Sequence, residues 1–127
     1  MTNRPIKFRA WNTVNESMGD VTMMRWGKNG IERIEVYHND NKYNECSDDG
    51  NDRFILMQFT GLLDKNGVEI YEGDIVRNND YDFEVHWKES GFFLRNMKTG
   101  NDFIMIGEHP HSEVIGNIHQ HPERMKR

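Results

Sequence analysis

The chain has 127 residues, 35% of them hydrophobic and 29% charged, with a formal net charge of −5 at pH 7. That length suits one domain with a small appended subdomain, and it can bury about two-thirds of its surface without a disulfide or metal staple. No apolar run approaches the roughly 20 residues of a membrane-spanning helix, and no secretory signal is expected because the start lacks a long apolar segment.

Residue usage points to strands. Alanine occurs once, at Ala10, and leucine only at Leu56, Leu62, Leu63 and Leu94, so the best apolar helix formers are nearly absent. Isoleucine, valine and the aromatics are common, and these side chains fit a pleated sheet. Cys46 is the single cysteine, so no intrachain disulfide forms, and no basic neighbour activates its thiol.

The elements follow in chain order. Residues 6–11 alternate apolar and polar as far as Ala10, and residues 18–26 read as a second strand forming a hairpin with the first. Lys28-Asn29-Gly30 supplies an Asn-Gly turn into a third strand over residues 31–37, the segment most easily lost to a short helix. Residues 39–52 hold almost nothing to bury and read as a polar loop. Residues 54–60 form an apolar strand, followed by a turn at Asp64-Lys65-Asn66-Gly67. In Glu72-Gly73-Asp74 the glycine is expected to take a conformation that a Cβ would resist, with Asp74 bonding nearby amides. Phe83, Val85 and Trp87 alternate onto one face, which is read as core. Strands over residues 92–97, 103–106 and 114–118 complete the set. Short strands at roughly ten-residue spacing with turns between them describe a small barrel or sandwich.

Four blocks carry a resemblance. Ile6-Lys7-Phe8-Arg9-Ala10-Trp11, then Leu56-Met57-Gln58-Phe59-Thr60-Gly61-Leu62 with Asp64-Lys65-Asn66-Gly67, then Ile70-Tyr71-Glu72-Gly73-Asp74-Ile75-Val76, and finally Val114-Ile115-Gly116-Asn117-Ile118 with Pro122-Glu123 resemble the YopX family of phage and prophage proteins. Their order and spacing fit over nearly the full chain, least well from about Met18 to Arg53. The resemblance implies a mostly β fold with a small SH3-like barrel in residues 54–127, and the strand pattern adds an N-terminal β-hairpin region in residues 1–53. It also implies a phage origin and the cytoplasm of a bacterial host. It supplies no catalytic or binding residue.

Three groups of residues are candidates for chemistry. His109, His111, His119 and His121 form two His-x-His pairs, which on paired strands would offer four nitrogens to a zinc ion. Pro110 and Pro122 argue instead for irregular backbone and exposed turn histidines. Arg4, Lys7 and Arg9 with Trp11 form a basic segment with an aromatic for base stacking. Against it, residues 54–127 hold eight Lys or Arg against twelve Asp or Glu, and residues 1–53 hold eight against nine, so neither half is basic. Phe92 and Phe93 are adjacent and cannot both point inward from a regular strand, which suggests a partner or self-association surface. The acidic loops fit no calcium-loop register and read as solvated, and Glu69, Glu72 and Asp74 read as a turn rather than an acid–base pair. No phosphate loop, nucleophile elbow or dinucleotide fingerprint is present. The expectation is a non-enzymatic binding or interaction module without cofactor or membrane association. It would be homo-oligomeric or act with a protein partner. A nucleic-acid-binding accessory protein is the alternative.

Overall fold

The computed structural model describes residues 5–39, 42–47, 53–105 and 111–122. They form eleven β-strands, with no α-helix among the described residues. Two compact units divide the chain, one holding Lys7–Met57 and the other Gln58–Arg127 with Met1–Ile6.

The unit Lys7–Met57 contains β1 (Phe8–Asn12), β2 (Ser17–Gly27), β3 (Gly30–His38), β4 (Tyr43–Ser47) and the first part of β5 (Phe54–Leu63). Their order in the sheet is β4-β3-β2-β1-β5. β1 pairs antiparallel with β2, β2 with β3 and β3 with β4. Ala10, Ile34, Val36 and Phe54 form the buried core, with Val21, Met24, Ile31 and Leu56 packed against it. The turn at Lys28–Asn29 hands over to Gly30 at φ 119°, which an L side chain rarely adopts. β4 lies inside the stretch expected to be a polar loop. It has few apolar residues because it is an edge strand whose two buried side chains, Glu45 and Ser47, are polar.

The unit from Gln58 contains the rest of β5, then β6 (Glu69–Tyr71), β7 (Asp74–Asn78), β8 (Tyr81–Lys88), β9 (Gly91–Asn96), β10 (Asp102–Ile104) and β11 (Ser112–Asn117). β5 pairs antiparallel with β6. The remaining strands run in the order β10-β9-β8-β7-β11. β7 to β10 form an antiparallel meander and β11 returns to pair with β7. Ile70, Val76, Val85 and Leu94 are the core, with Leu62, Phe83, Met105 and Val114 around them. Both sheets are open ladders rather than closed cylinders among the described residues.

Two turns hold this unit in place. Gly73 sits at φ 89°, as the sequence suggested, donates its amide to Val85 O and accepts from the Ile118 amide. Asp74 accepts the Tyr71 amide at 2.7 Å. Asp64, expected to be solvated, is instead 6% exposed. Its carboxylate accepts the amides of Asn66, Val68 and Val114 at 2.8–2.9 Å, fastening the turn to β11. Burial alone would raise the Asp64 carboxyl. The bonds from Val114, Val68 and Asn66, helped by the Lys65 charge, outweigh it and hold the group below its ordinary value.

Candidate functional site

Glu45 lies at the centre of a buried polar knot in the unit Lys7–Met57. Its carboxylate accepts both contacts of the Asn12 carboxamide at 2.9 Å and the His38 Nε2–H at 2.9 Å. Arg53 Nε stands 3.5 Å from the other oxygen. A carboxylate only accepts, so His38 Nε2 carries a proton. His38 Nδ1 is buried and makes no hydrogen bond. The ring packs over Gly19, where a Cβ would stand 2.9 Å from Nδ1 and 2.5 Å from Val36 Cγ1. Glycine is required there because Val36 and His38 occupy the side-chain space. Asn12 Oδ1 accepts the amides of Val14 and Asn15, so the same residue shapes the β1–β2 turn. The edge strand β4 is thereby tied to a strand three places away in the sheet, which demands strong curl. His38 is 2% and Glu45 8% exposed, so no substrate reaches this pair and it serves as a tie.

Asp102 centres a second cluster, on the face of β8, β9 and β10 opposite Val85 and Leu94. It pairs with His86 Nε2 at 2.9 Å, Lys88 Nζ at 3.1 Å and Arg95 Nε at 3.5 Å. Arg95 Nη2 donates to His86 Nδ1 at 3.3 Å, so the ring's proton again sits on Nε2. The hydrogen bonds from Lys88 and His86 hold the Asp102 carboxyl below its ordinary value. Both His86 ring nitrogens, Lys88 Nζ and Arg95 each meet a partner within the sheet.

The opposite face of the same strands carries aromatics. Phe83, Val85 and Trp87 do share this face, but only Val85 is fully buried, while Trp87 is 49% exposed. Trp87 lies beyond the core, at the end of β8, where its cross-strand partner Phe92 meets it edge-on at 5.0 Å. Phe83 meets Phe103 edge-on at 6.2 Å, and Phe103 is 53% exposed. Phe92 and Phe93 alternate as expected. Phe92 joins Trp87, and Phe93 lies on the Asp102 face, 6.1 Å from the His86 ring and 5.9 Å beneath Lys88 Nζ.

The sequence-predicted sites are brought together only in part. Arg4 and His109 lie outside the described residues. Lys7 is exposed and Arg9 half-buried, but Trp11 is 8% exposed and belongs to the interior, so its indole offers no stacking face. His119, Gln120 and His121 form a turn rather than a strand, so strand alternation does not align their rings. Asn117 Oδ1 accepts the amides of His119 and Gln120, and His121 Nδ1 accepts the Asn117 amide at 3.1 Å. His111 stands exposed before β11. Among the described residues no three His, Cys, Asp or Glu side chains gather to hold a metal ion. Sequence reasoning missed the Glu45 and Asp102 clusters. Their members are spread over up to 41 residues, and only the alternation of residues 84, 86 and 88 hinted at the second.

Among the described residues, no helix is long and apolar enough to cross a membrane. None of the curated proteins compared with the chain matches it. Its structure is similar to the crystal structure of protein EF1440 from Enterococcus faecalis, with a TM-score of 0.68 and 28% identity, covering 98% of this chain and 100% of that one. The model of the family described as YopX protein matches residues 7–126. All of the blocks except Ile6 thus fall within one continuous match, and the chain belongs to the YopX family.

Proposed function

We propose that the chain is a non-enzymatic interaction module of phage or prophage origin, acting in the cytoplasm of its bacterial host. Its C-terminal unit is read as SH3-like. The support is connectivity: a four-strand meander, β7 to β10, whose fifth strand β11 returns beside the first. The observation that carries the binding role is Trp87. A tryptophan 49% exposed beside a half-buried Phe92, at the end of a sheet face whose middle is packed, is apolar surface without an internal use. The partner that suits it is an extended protein segment laying an aliphatic or proline side chain against the indole.

The neighbouring chemistry is consistent with this reading. The His38–Glu45 pair is buried and both ring nitrogens of His86 are engaged, which favours a binding role over acid–base chemistry. Affinity capture from phage-infected host cells tests it, using the purified chain and its Trp87→Ser variant as baits. A phage or host protein retained by the native chain and lost with the variant supports the role. Retention indifferent to Trp87→Ser, or no retained protein, overturns it.

A further inference from the structure

β10 ends its sheet, and no strand pairs with its far side among the described residues. The Met105 amide donates to Phe92 O and the Asn96 amide to Asn101 O, so residues 101, 103 and 105 turn their polar groups toward β9. By alternation, Asp102 and Ile104 turn their amides and carbonyls outward. Edge strands of this kind are commonly guarded by an uncompensated charge, a proline or a bulge. β10 has no proline, and its register with β9 is regular. Its one charge, Asp102, is already matched by Lys88, His86 and Arg95. What remains is an exposed aromatic on one face and an exposed Ile104 on the other, at 53% and 58%.

We propose that β10 adds antiparallel to β10 of a second copy of the chain, in a two-fold register centred on Phe103. The short sequence suits that partner and register. Centred on Phe103, ring meets ring on one face, and on the other each Asp102 stands opposite Ile104 of the other copy. Centred on Asp102, two carboxylates would oppose each other, which is unfavourable. The outward groups of Asp102 and Ile104 then form four hydrogen bonds, two of them from the Ile104 amides. So short a ladder makes a weak, concentration-dependent dimer. The inference does not depend on the Trp87 surface, and Trp87→Ser leaves this dimer intact.

Cross-linking tests the register directly. In a Cys46→Ser background, Phe103→Cys places two thiols at a pair not joined by hydrogen bonds, with Cα atoms about 4.5 Å apart, which a disulfide spans. Ile104→Cys places them roughly 8 Å apart, beyond disulfide reach. A disulfide dimer under mild oxidation with the first and not the second is expected. No dimer with Phe103→Cys, or equal dimer with both, overturns the register. Sedimentation of the native chain at about 0.3 mM should show a monomer–dimer equilibrium. Ile104→Pro removes the two Ile104 amide donors of the dimer, leaving those of Asp102, without touching the β9 ladder, and should weaken that equilibrium roughly 30-fold. A monomeric native chain, or a dimer indifferent to Ile104→Pro in a variant whose circular dichroism is unchanged, overturns the proposal.

Discussion

The two units place their carboxylates in opposite ways. The unit Lys7–Met57 brings Glu45 inside and satisfies it with side chains from three other segments, Asn12, His38 and Arg53. The unit from Gln58 keeps an aliphatic interior and leaves its side-chain ion cluster on an open sheet face around Asp102. Its deeply buried acids, Asp64 and Asp74, accept backbone amides instead. A buried acid met by side chains ties segments distant in sequence and fails if any partner is lost. An acid met by amides fixes a turn. An acid on the surface organises a face and contributes little to folding.

The largest effect should come from Glu45→Ala. It leaves the Asn12 amide, His38 Nε2–H and Arg53 without their acceptor in the interior, and should cost about 4 kcal/mol in urea unfolding. A loss under about 1 kcal/mol would mean that the knot is not a tie at all. Asp64 comes next. Its folded carboxyl titrates below the ordinary 3.8, so its contribution is present above that value and fades as pH falls through the lower folded one. Asp64→Asn should cost about 1 kcal/mol near neutral pH and flatten the acid limb of stability against pH. An unchanged acid limb would remove Asp64 from the account. Asp102→Asn should have the smallest effect, a slight loss that shrinks further as sodium chloride screens the Lys88 and Arg95 partners. If it destabilises as much as Glu45→Ala, the contrast between the units is wrong.

Much of the fold was legible. Branched and aromatic residues, an Asn-Gly turn before β3 and the clean alternation of residues 82–88 located most strands. β4 was not legible, because an edge strand that buries a glutamate and a serine looks like a solvated loop. Trp87 illustrates a second limit. Period two fixes which face a side chain takes, not how far the core extends along that face. The alternation of Phe92 and Phe93 was readable from adjacency alone. The partners of Glu45 were not, since nothing local in Asn12 or His38 announces a carboxylate met after the chain has folded back.

β5 belongs to both units: Phe54 completes the core of the first, and the strand runs on to pair with β6 in the second. This has a consequence for synthesis. Emerging from the ribosome, β1 to β4 lack their last core residue until Phe54 appears, and Arg53, which bonds Thr13 through its carbonyl, arrives just before it. Folding of the first unit is therefore delayed until the start of the second is already being made. A gene that ended after β4 would yield a sheet with one side of its core missing.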